Sequence, residues 1–497
     1  MVFCKTRLIC EAEREISKST NRVAFCTFGC RINQYDTETI RTLLEETGRF
    51  HTVSPREAAD VYVVNTCSVT AQADATARKA IRRIHSEHPE AKIVVTGCYA
   101  QRIPARIAEL PGVALILGVP DRVHIASEIQ QVLDGPSTGA EAFAFPVPEQ
   151  QANARKITQR ITVSPTATAR TFPEIPITRM MNRSRAVVKI QDGCNGACSF
   201  CIIPQTRGHS RSRQPERVIE QITRLVDNGY REIVLAGVHL GDYGLDIGAG
   251  QPMLSLLIGQ ILAIPNLMRL RLSSIGPNAV TDEIIRLMAT QDRFARHLHI
   301  PLQSGSDEIL TRMNRNYSVA QFEKLLRTIT DTIPDCGIGT DIICGFPGES
   351  DALFHETAAR ITDLPFSYLH PFPYSARPAS PAESFGDRVP SEEKKSRTRI
   401  LKGLSREKTR AFQRRHLGKR VEVLLENPEK DSGRGSRPDS RKKGNPAHVG
   451  WTDNYLRVAV QGGTGLDMDS GLQHSRLQMV RITGLGEKGL MGVVEPG

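Results

Sequence analysis

Six of the eleven cysteines stand where their spacing could build metal centres. Cys194, Cys198 and Cys201 form C-x3-C-x2-C within QDGCNGACSFCIIPQTRG. Thiolates are soft ligands suited to zinc or iron–sulfur centres. Structural zinc takes four protein ligands, often as two C-x2-C-type pairs. This tight group of three has no obvious fourth, although His209 is nearby. A cubane held by three thiolates instead leaves one iron free for a substrate or cofactor.

Cys30, Cys67 and Cys98 sit in TFGCRINQ, NTCSVT and TGCYA. Their separations match no local metal motif; their placement carries the argument. Each directly follows a strand-like run and precedes a helical one. Parallel strands would bring the three loops to one sheet edge, near helix N-termini whose positive ends favour thiolates. A second three-cysteine cluster is therefore expected. Cys4, Cys10, Cys26, Cys336 and Cys344 are read as small buried residues, with Cys26 the doubtful one because it lies close to Cys30 on the same strand.

The elements that must position these thiols are legible as periodicities. From Asn21 to about Gly135, the runs VAFCTF, VYVVN, KIVVTG and LILGV alternate with helical stripes such as Ile40, Leu43 and Leu44. That order implies a mostly parallel sheet with helices on its faces. Residues 136–181 lose periodicity and read as a linker. From Asn182 to about residue 412, six βα units are expected on VVKIQ, IVLAG, LRLSS, LHIPL, TDIICGF and SYLHPF. Six units make an incomplete version of the eight-unit barrel, and the Cys194 loop leaves its first strand, where ligands of such sheets gather. From 413 to 494, short strands between Gly- and Asp-rich turns predict a small all-β barrel. The fold class is thus multidomain α/β with a C-terminal β barrel, preceded by a tail over residues 1–20.

Composition narrows the setting. No run of about 18 apolar residues suggests a membrane span, and the first residues, MVFCKTRLICEAEREISKST, lack the pattern of a secretory signal. Cytoplasmic thiols kept reduced, rather than disulfides, are expected. The formal net charge of +11 is concentrated late: Ser391–Arg420 holds 12 Lys/Arg against 3 Glu, and RKKG begins at Arg441. Such clustering points to a polyanionic partner, against the simpler reading of a solvated face.

The C-x3-C-x2-C spacing, with Phe200 before its third cysteine, resembles the signature of the radical S-adenosylmethionine superfamily. That resemblance implies that the free iron chelates S-adenosylmethionine and yields a 5′-deoxyadenosyl radical. Phe200 would lie against the adenine, and Gly237, Ser273, Ser274 and Gln303, at later strand ends, would complete the pocket. Simple turn and helix-cap roles compete for the glycine and the serines.

From Asn21 to Val494 the chain is similar to the methylthiotransferase family, which joins a three-cysteine domain, a radical core and a TRAM domain in this order. TFGCRINQYDTE, LAGVHLGDYG, TDIICGFPGES and HPFPYSARP most resemble the branch acting on N6-threonylcarbamoyladenosine beside the tRNA anticodon. Gly276 stands where family members often carry Glu, which weakens the ligand assignments near that strand. The resemblance implies two [4Fe-4S] clusters and two molecules of S-adenosylmethionine per turnover. One supplies a methyl group to sulfur at the Cys30/Cys67/Cys98 cluster. The other becomes the radical that takes hydrogen from position 2 of the adenine, with both open irons facing one cavity. The β barrel would grip tRNA, with Trp451, Tyr455, Arg457 and Arg441–Lys443 as candidates. Neither the sulfur donor nor the electron donor is legible. Two other readings compete: an isopentenyladenosine or ribosomal-protein substrate within the same family, and a non-enzymatic RNA-binding protein with structural zinc.

Overall fold

The computed structural model describes residues 20–135, 159–181, 184–248, 250–426, 448–461 and 476–495. The chain divides into two compact units. Cys4, Cys10 and Arg441–Lys443 lie outside the described residues.

The first unit comprises residues up to Ile177 together with Ile202–His209. Its sheet is wholly parallel: β1 (Asn21–Thr27), β2 (Phe50–Val53), β3 (Val61–Thr66), β4 (Lys92–Gly97), β5 (Val113–Leu117) and β6 (Arg160–Thr162), in the order β2-β1-β3-β4-β5-β6. Every residue of β3 is buried, as a central strand covered on both faces requires. The helix Arg31–Glu45 places Ile40 and Leu44 in the core on one face. The helix Ala71–Glu87 places Ala77, Ile81 and Ile84 in the core on the other.

The sheet is wider than the sequence suggests by two edge strands, β2 and β6. β6 falls within 136–181, the segment read as linker. Three residues are too short a run to carry a strand signal. They pair because their register on β5 is available and because Arg160 forms an ion pair with Glu128 of the helix Ile125–Leu133.

The second unit carries the expected six parallel strands: β7 (Arg185–Asp192), β9 (Glu232–Gly237), β10 (Arg269–Leu272), β11 (His297–His299), β12 (Gly337–Cys344) and β13 (Tyr368–Pro373). A short antiparallel strand, β8 (Arg211–Ser212), borders β7. Isolated bridges Leu270–Phe294 and Ser274–His299 join the β10 and β11 edges into one curved parallel array. After the helix Ser391–Arg414, strands β14 (Arg420–Glu426), β15 (His448–Thr452), β16 (Arg457–Gln461), β17 (Arg476–Gly486) and β18 (Gly489–Val494) close into a barrel.

The small barrel is fastened to the parallel array by buried charge. Glu232 accepts from Arg269 at 3.2 Å and Arg271 at 2.8 Å. Arg269 continues to Glu422 at 2.9 Å, and Arg271 donates to the Thr452 and Asp453 carbonyls at 3.0 and 2.7 Å. Tyr455 stacks on His297 (4.4 Å between centroids) and on Trp451 (4.7 Å). Trp451 and Tyr455, two of the candidates for gripping tRNA, stack at this junction, and Arg185 also lies over Trp451. The basic helix is likewise partly used internally, with Arg397 buried against Glu349, and just beyond it Arg415 pairs with Asp335.

Candidate active site

In the first unit, the order of strands reverses between β1 and β3, the place where open parallel sheets form a crevice beyond their carboxyl ends. Cys30 follows β1, Cys67 follows β3 and Cys98 follows β4. The three thiols lie within electrostatic reach: Cys98 acts on both Cys30 and Cys67, and Cys30 acts on Cys67. Burial pushes the Cys67 thiol up to about 12, and the neighbouring thiols add to the shift. Burial also raises Cys30, against the pull of Arg207 and the backbone of Asn33 and Ile32. Cys30 itself is exposed.

Two glycines make that approach possible. Gly29 has φ +100°, and a Cβ on it would lie 2.5 Å from the Cys67 Cβ. Gly97 has φ +95°, and its Cβ would lie 2.3 Å from the Thr66 carbonyl oxygen. Only glycine adopts that backbone and leaves that space. The loops are then pinned by Asn33, fully buried, which donates to the Phe28 carbonyl at 2.8 Å and the Thr66 carbonyl at 3.0 Å. Asn65 returns a bond to the Asn33 carbonyl at 2.9 Å.

Arg207 was not singled out from the sequence. It lies six positions beyond Cys201 yet belongs to the first unit, where it donates to Asn33 Oδ1 at 2.7 Å and Asp36 Oδ2 at 2.9 Å. Its guanidinium lowers the proton affinity of Cys30 and Cys67. Arg122 pairs with the same carboxylate at 2.5 Å. The only advance signal was a basic residue near the end of the cysteine motif.

In the second unit, the Cys194–Cys201 loop follows β7 and is held by the chain at 312–314. Ser199 donates its amide to Met313 (3.1 Å) and its hydroxyl to Arg312 (2.8 Å), while Asn314 donates to the Ala197 carbonyl (2.8 Å). The Gly196 amide donates to Cys194 Sγ at 3.2 Å, and Arg315 Nη1 donates to Cys198 Sγ at 3.0 Å. Hydrogen bonds and a cation at the sulfurs suit an anionic thiolate centre. Burial raises the Cys194 thiol, and the Asp242 carboxylate pushes the same way.

Among the described residues, the ligand atoms of His299, Asp341 and His370 all lie within 4.8 Å of one another. Cys26 packs against the apolar core of the first sheet, and Cys336 and Cys344 are buried.

Of the remaining expected residues, Phe200 lies in the cysteine loop and the others at or just beyond strand ends of the parallel array. Phe200 meets Phe346 edge-on at 6.5 Å in an apolar cluster with Tyr374. Gly237 ends β9, where a Cβ would come within 3.0 Å of Gln191 Oε1. The Ser273 hydroxyl is buried without a hydrogen-bond partner. The Ser274 hydroxyl is engaged by His299 Nδ1 at 2.8 Å. Gln303 has φ +72° and bridges to β12, its amide donating to the Asp341 carbonyl at 2.9 Å. Beside Gly276, the space a side chain would enter is occupied by the His239 imidazole, 3.3 Å from the Cβ position.

Residues 22–118 match the uncharacterized protein family UPF0004, and residues 188–361 match the radical SAM superfamily. The chain is 38% identical over 440 residues to the threonylcarbamoyladenosine tRNA methylthiotransferase MtaB of Bacillus subtilis (strain 168), covering 88% of this chain and 90% of that protein. It is 32% identical to the tRNA-2-methylthio-N(6)-dimethylallyladenosine synthase of Sodalis glossinidius, covering 82% of each. In fold it is similar to the radical S-adenosylmethionine methyltransferase TsrM of Kitasatospora setae, with TM-score 0.52 at 15% identity, covering 73% of this chain and 74% of that one. The chain belongs to the methylthiotransferase family, transferases that use S-adenosylmethionine and two [4Fe-4S] clusters.

Proposed function

We propose that this enzyme adds a methylthio group to position 2 of N6-threonylcarbamoyladenosine next to the tRNA anticodon, in the cytoplasm. The observation that carries the reading is the presence of two thiol trios, one in each unit, in a chain that aligns along 90% of a threonylcarbamoyladenosine tRNA methylthiotransferase. Cys30, Cys67 and Cys98 would hold one cluster, and Cys194, Cys198 and Cys201 the other. Bound there, the clusters supply one-electron cleavage of S-adenosylmethionine and a carrier for sulfur.

The chain's own groups do the positioning. Gly29, Gly97 and Asn33 set the approach of the first three loops. Arg207 offsets negative charge at those thiols, and Arg315 does so at Cys198. Phe200, Gly237, Ser273, Ser274 and Gln303 would bound the S-adenosylmethionine pocket, with the free Ser273 hydroxyl available to a ligand.

We assign residues 21–135 to the three-cysteine domain, 182–412 to the radical core and 413–494 to the tRNA-gripping TRAM-like barrel. No helix among the described residues is long and apolar enough to cross a membrane. Reconstitution under argon with S-adenosylmethionine and tRNA, followed by mass spectrometry of the nucleosides, tests the function. The expected product is methylthio-threonylcarbamoyladenosine. Methylthio-dimethylallyladenosine alone would transfer the chain to the other substrate.

A further inference from the structure

One polar cluster of the parallel array is absorbed by neither cysteine centre. His299 ends β11, Asp341 lies in β12 and His370 in β13. Strand register puts them on one face: His299 pairs with Gly339, two residues before Asp341, and Asp341 pairs with His370. The alternate residues Leu298, Ile338 and Leu369 are buried. Asp341 Oδ1 stands 3.4 Å from His299 Nε2 and 3.5 Å from His370 Nδ1.

The cluster is built rather than incidental. His299 is 8% exposed, its Nδ1 is engaged by Ser274, and its Nε2 faces Asp341. Burial alone would raise the Asp341 carboxyl, but the two imidazoles hold it at about 2. His370 is the open end, with its side chain 52% exposed. Its Nδ1 faces Asp341, so its second ring nitrogen is left on the far edge of the ring. Tyr368 and Phe372 flank it at 5.1 and 6.4 Å.

The arrangement therefore presents an ionised acceptor between two imidazoles on one face of β11, β12 and β13, open to solvent at His370. Such groups are costly to cover with hydrocarbon, because each buried unpaired polar atom loses its water without replacement. A dimethylallyl substituent has only hydrocarbon to offer. A threonylcarbamoyl substituent has urea N–H groups for a carboxylate, and carboxylate and carbonyl oxygens for ring N–H groups. We infer that His299, Asp341 and His370 form the subsite that reads the polar N6 substituent of the target adenosine and rejects an apolar one. This rests on the substrate class proposed above and assigns the residues that select it.

The test compares two anticodon stem–loops that differ only in carrying N6-threonylcarbamoyladenosine or N6-dimethylallyladenosine, bound to the anaerobically reconstituted full chain. The ratio of their dissociation constants is measured for the parent, His370→Leu, Asp341→Asn and the conservative His370→Gln. A general loss of folding or RNA affinity cancels in that ratio. A site that hydrogen-bonds its ligand discriminates against an analogue lacking those groups by factors of about 10⁴ or more, so a tenfold threshold is modest. The preference for threonylcarbamoyl should fall at least about tenfold in His370→Leu and Asp341→Asn, and recover in part in His370→Gln.

A smaller change in both variants overturns the inference. So does a non-iron metal bound by the parent and lost in His370→Leu, which would make the trio a metal site. A parent that itself prefers dimethylallyladenosine would defeat the proposed function, a distinguishable result.

Discussion

Arg207 and Asp36 form a buried ion pair, 2.9 Å apart with side chains 2% and 3% exposed, inside the unit that carries Cys30, Cys67 and Cys98. Arg207 follows the C-x3-C-x2-C loop in sequence, so the motif of one trio is continued by a residue that charges the surroundings of the other. Replacing it by Met removes one of the buried cations that pair with Asp36, another being Arg122. A loss of about 3 kcal/mol is expected, as when one partner of a buried pair is removed. Chemical denaturation measures it, and the iron bound by the first trio should fall in parallel. Unchanged iron would assign Arg207 to stability alone.

The two trios should be separable. Ala at Cys194, Cys198 and Cys201 should remove roughly half of the iron of the reconstituted enzyme and all 5′-deoxyadenosine formation. Ala at Cys30, Cys67 and Cys98 should also remove roughly half of the iron and abolish methylthio product, while S-adenosylmethionine is still cleaved. Iron analysis and chromatography of the products check both. Zinc without visible charge-transfer absorption in the parent would refute the assignment.

Gly29→Ala should disturb the first trio through the backbone. The new Cβ would collide with Cys67, and φ +100° is strained for alanine. A cost of about 1–3 kcal/mol is expected for holding that conformation. The readout is the absorbance of the reconstituted cluster in a background lacking Cys194, Cys198 and Cys201.

Arg315→Met removes the bond to Cys198 Sγ and the nearby positive charge. Hydrogen bonds and charge at cluster sulfurs tune the reduction potential. The potential of the second-unit cluster should shift negative, by roughly some tens of millivolts. A potentiometric titration followed by EPR decides it.

Acid sensitivity should trace to Glu232. Burial raises this carboxyl, but the guanidiniums of Arg271, Arg185 and Arg269 outweigh it and hold the group at about 2 against an ordinary 4.5. A depressed folded value contributes stability that is present above pH 4.5 and lost as pH falls toward 2, in all about 3 kcal/mol. Glu232→Gln should be less stable at pH 7, because Arg271, Arg269 and Arg185 lose the buried carboxylate they share, and its stability should fall less steeply between pH 4.5 and 3. Urea midpoints across that range test the sign.

Much was determined by the sequence alone. Local spacing exposed Cys194, Cys198 and Cys201, since their loop is short enough to be closed without any long-range contact. Alternating strand and helix periods placed Cys30, Cys67 and Cys98 after parallel strands, and parallelism carries those loops to one edge. The six strands of the second unit were legible because each is an apolar run between helical stripes. Other features were decided only by tertiary structure. β2 and β6 are held by register on a neighbouring strand, which leaves little trace in composition. Trp451 and Tyr455 look like RNA-binding rings in sequence, yet they stack at the junction of the small barrel with the parallel array. Arg207, Arg315 and the His299–Asp341–His370 trio act across separations that no motif spans. Their partners are fixed by strand order and loop docking, and a buried charge finds its counter-charge only once the chain has folded.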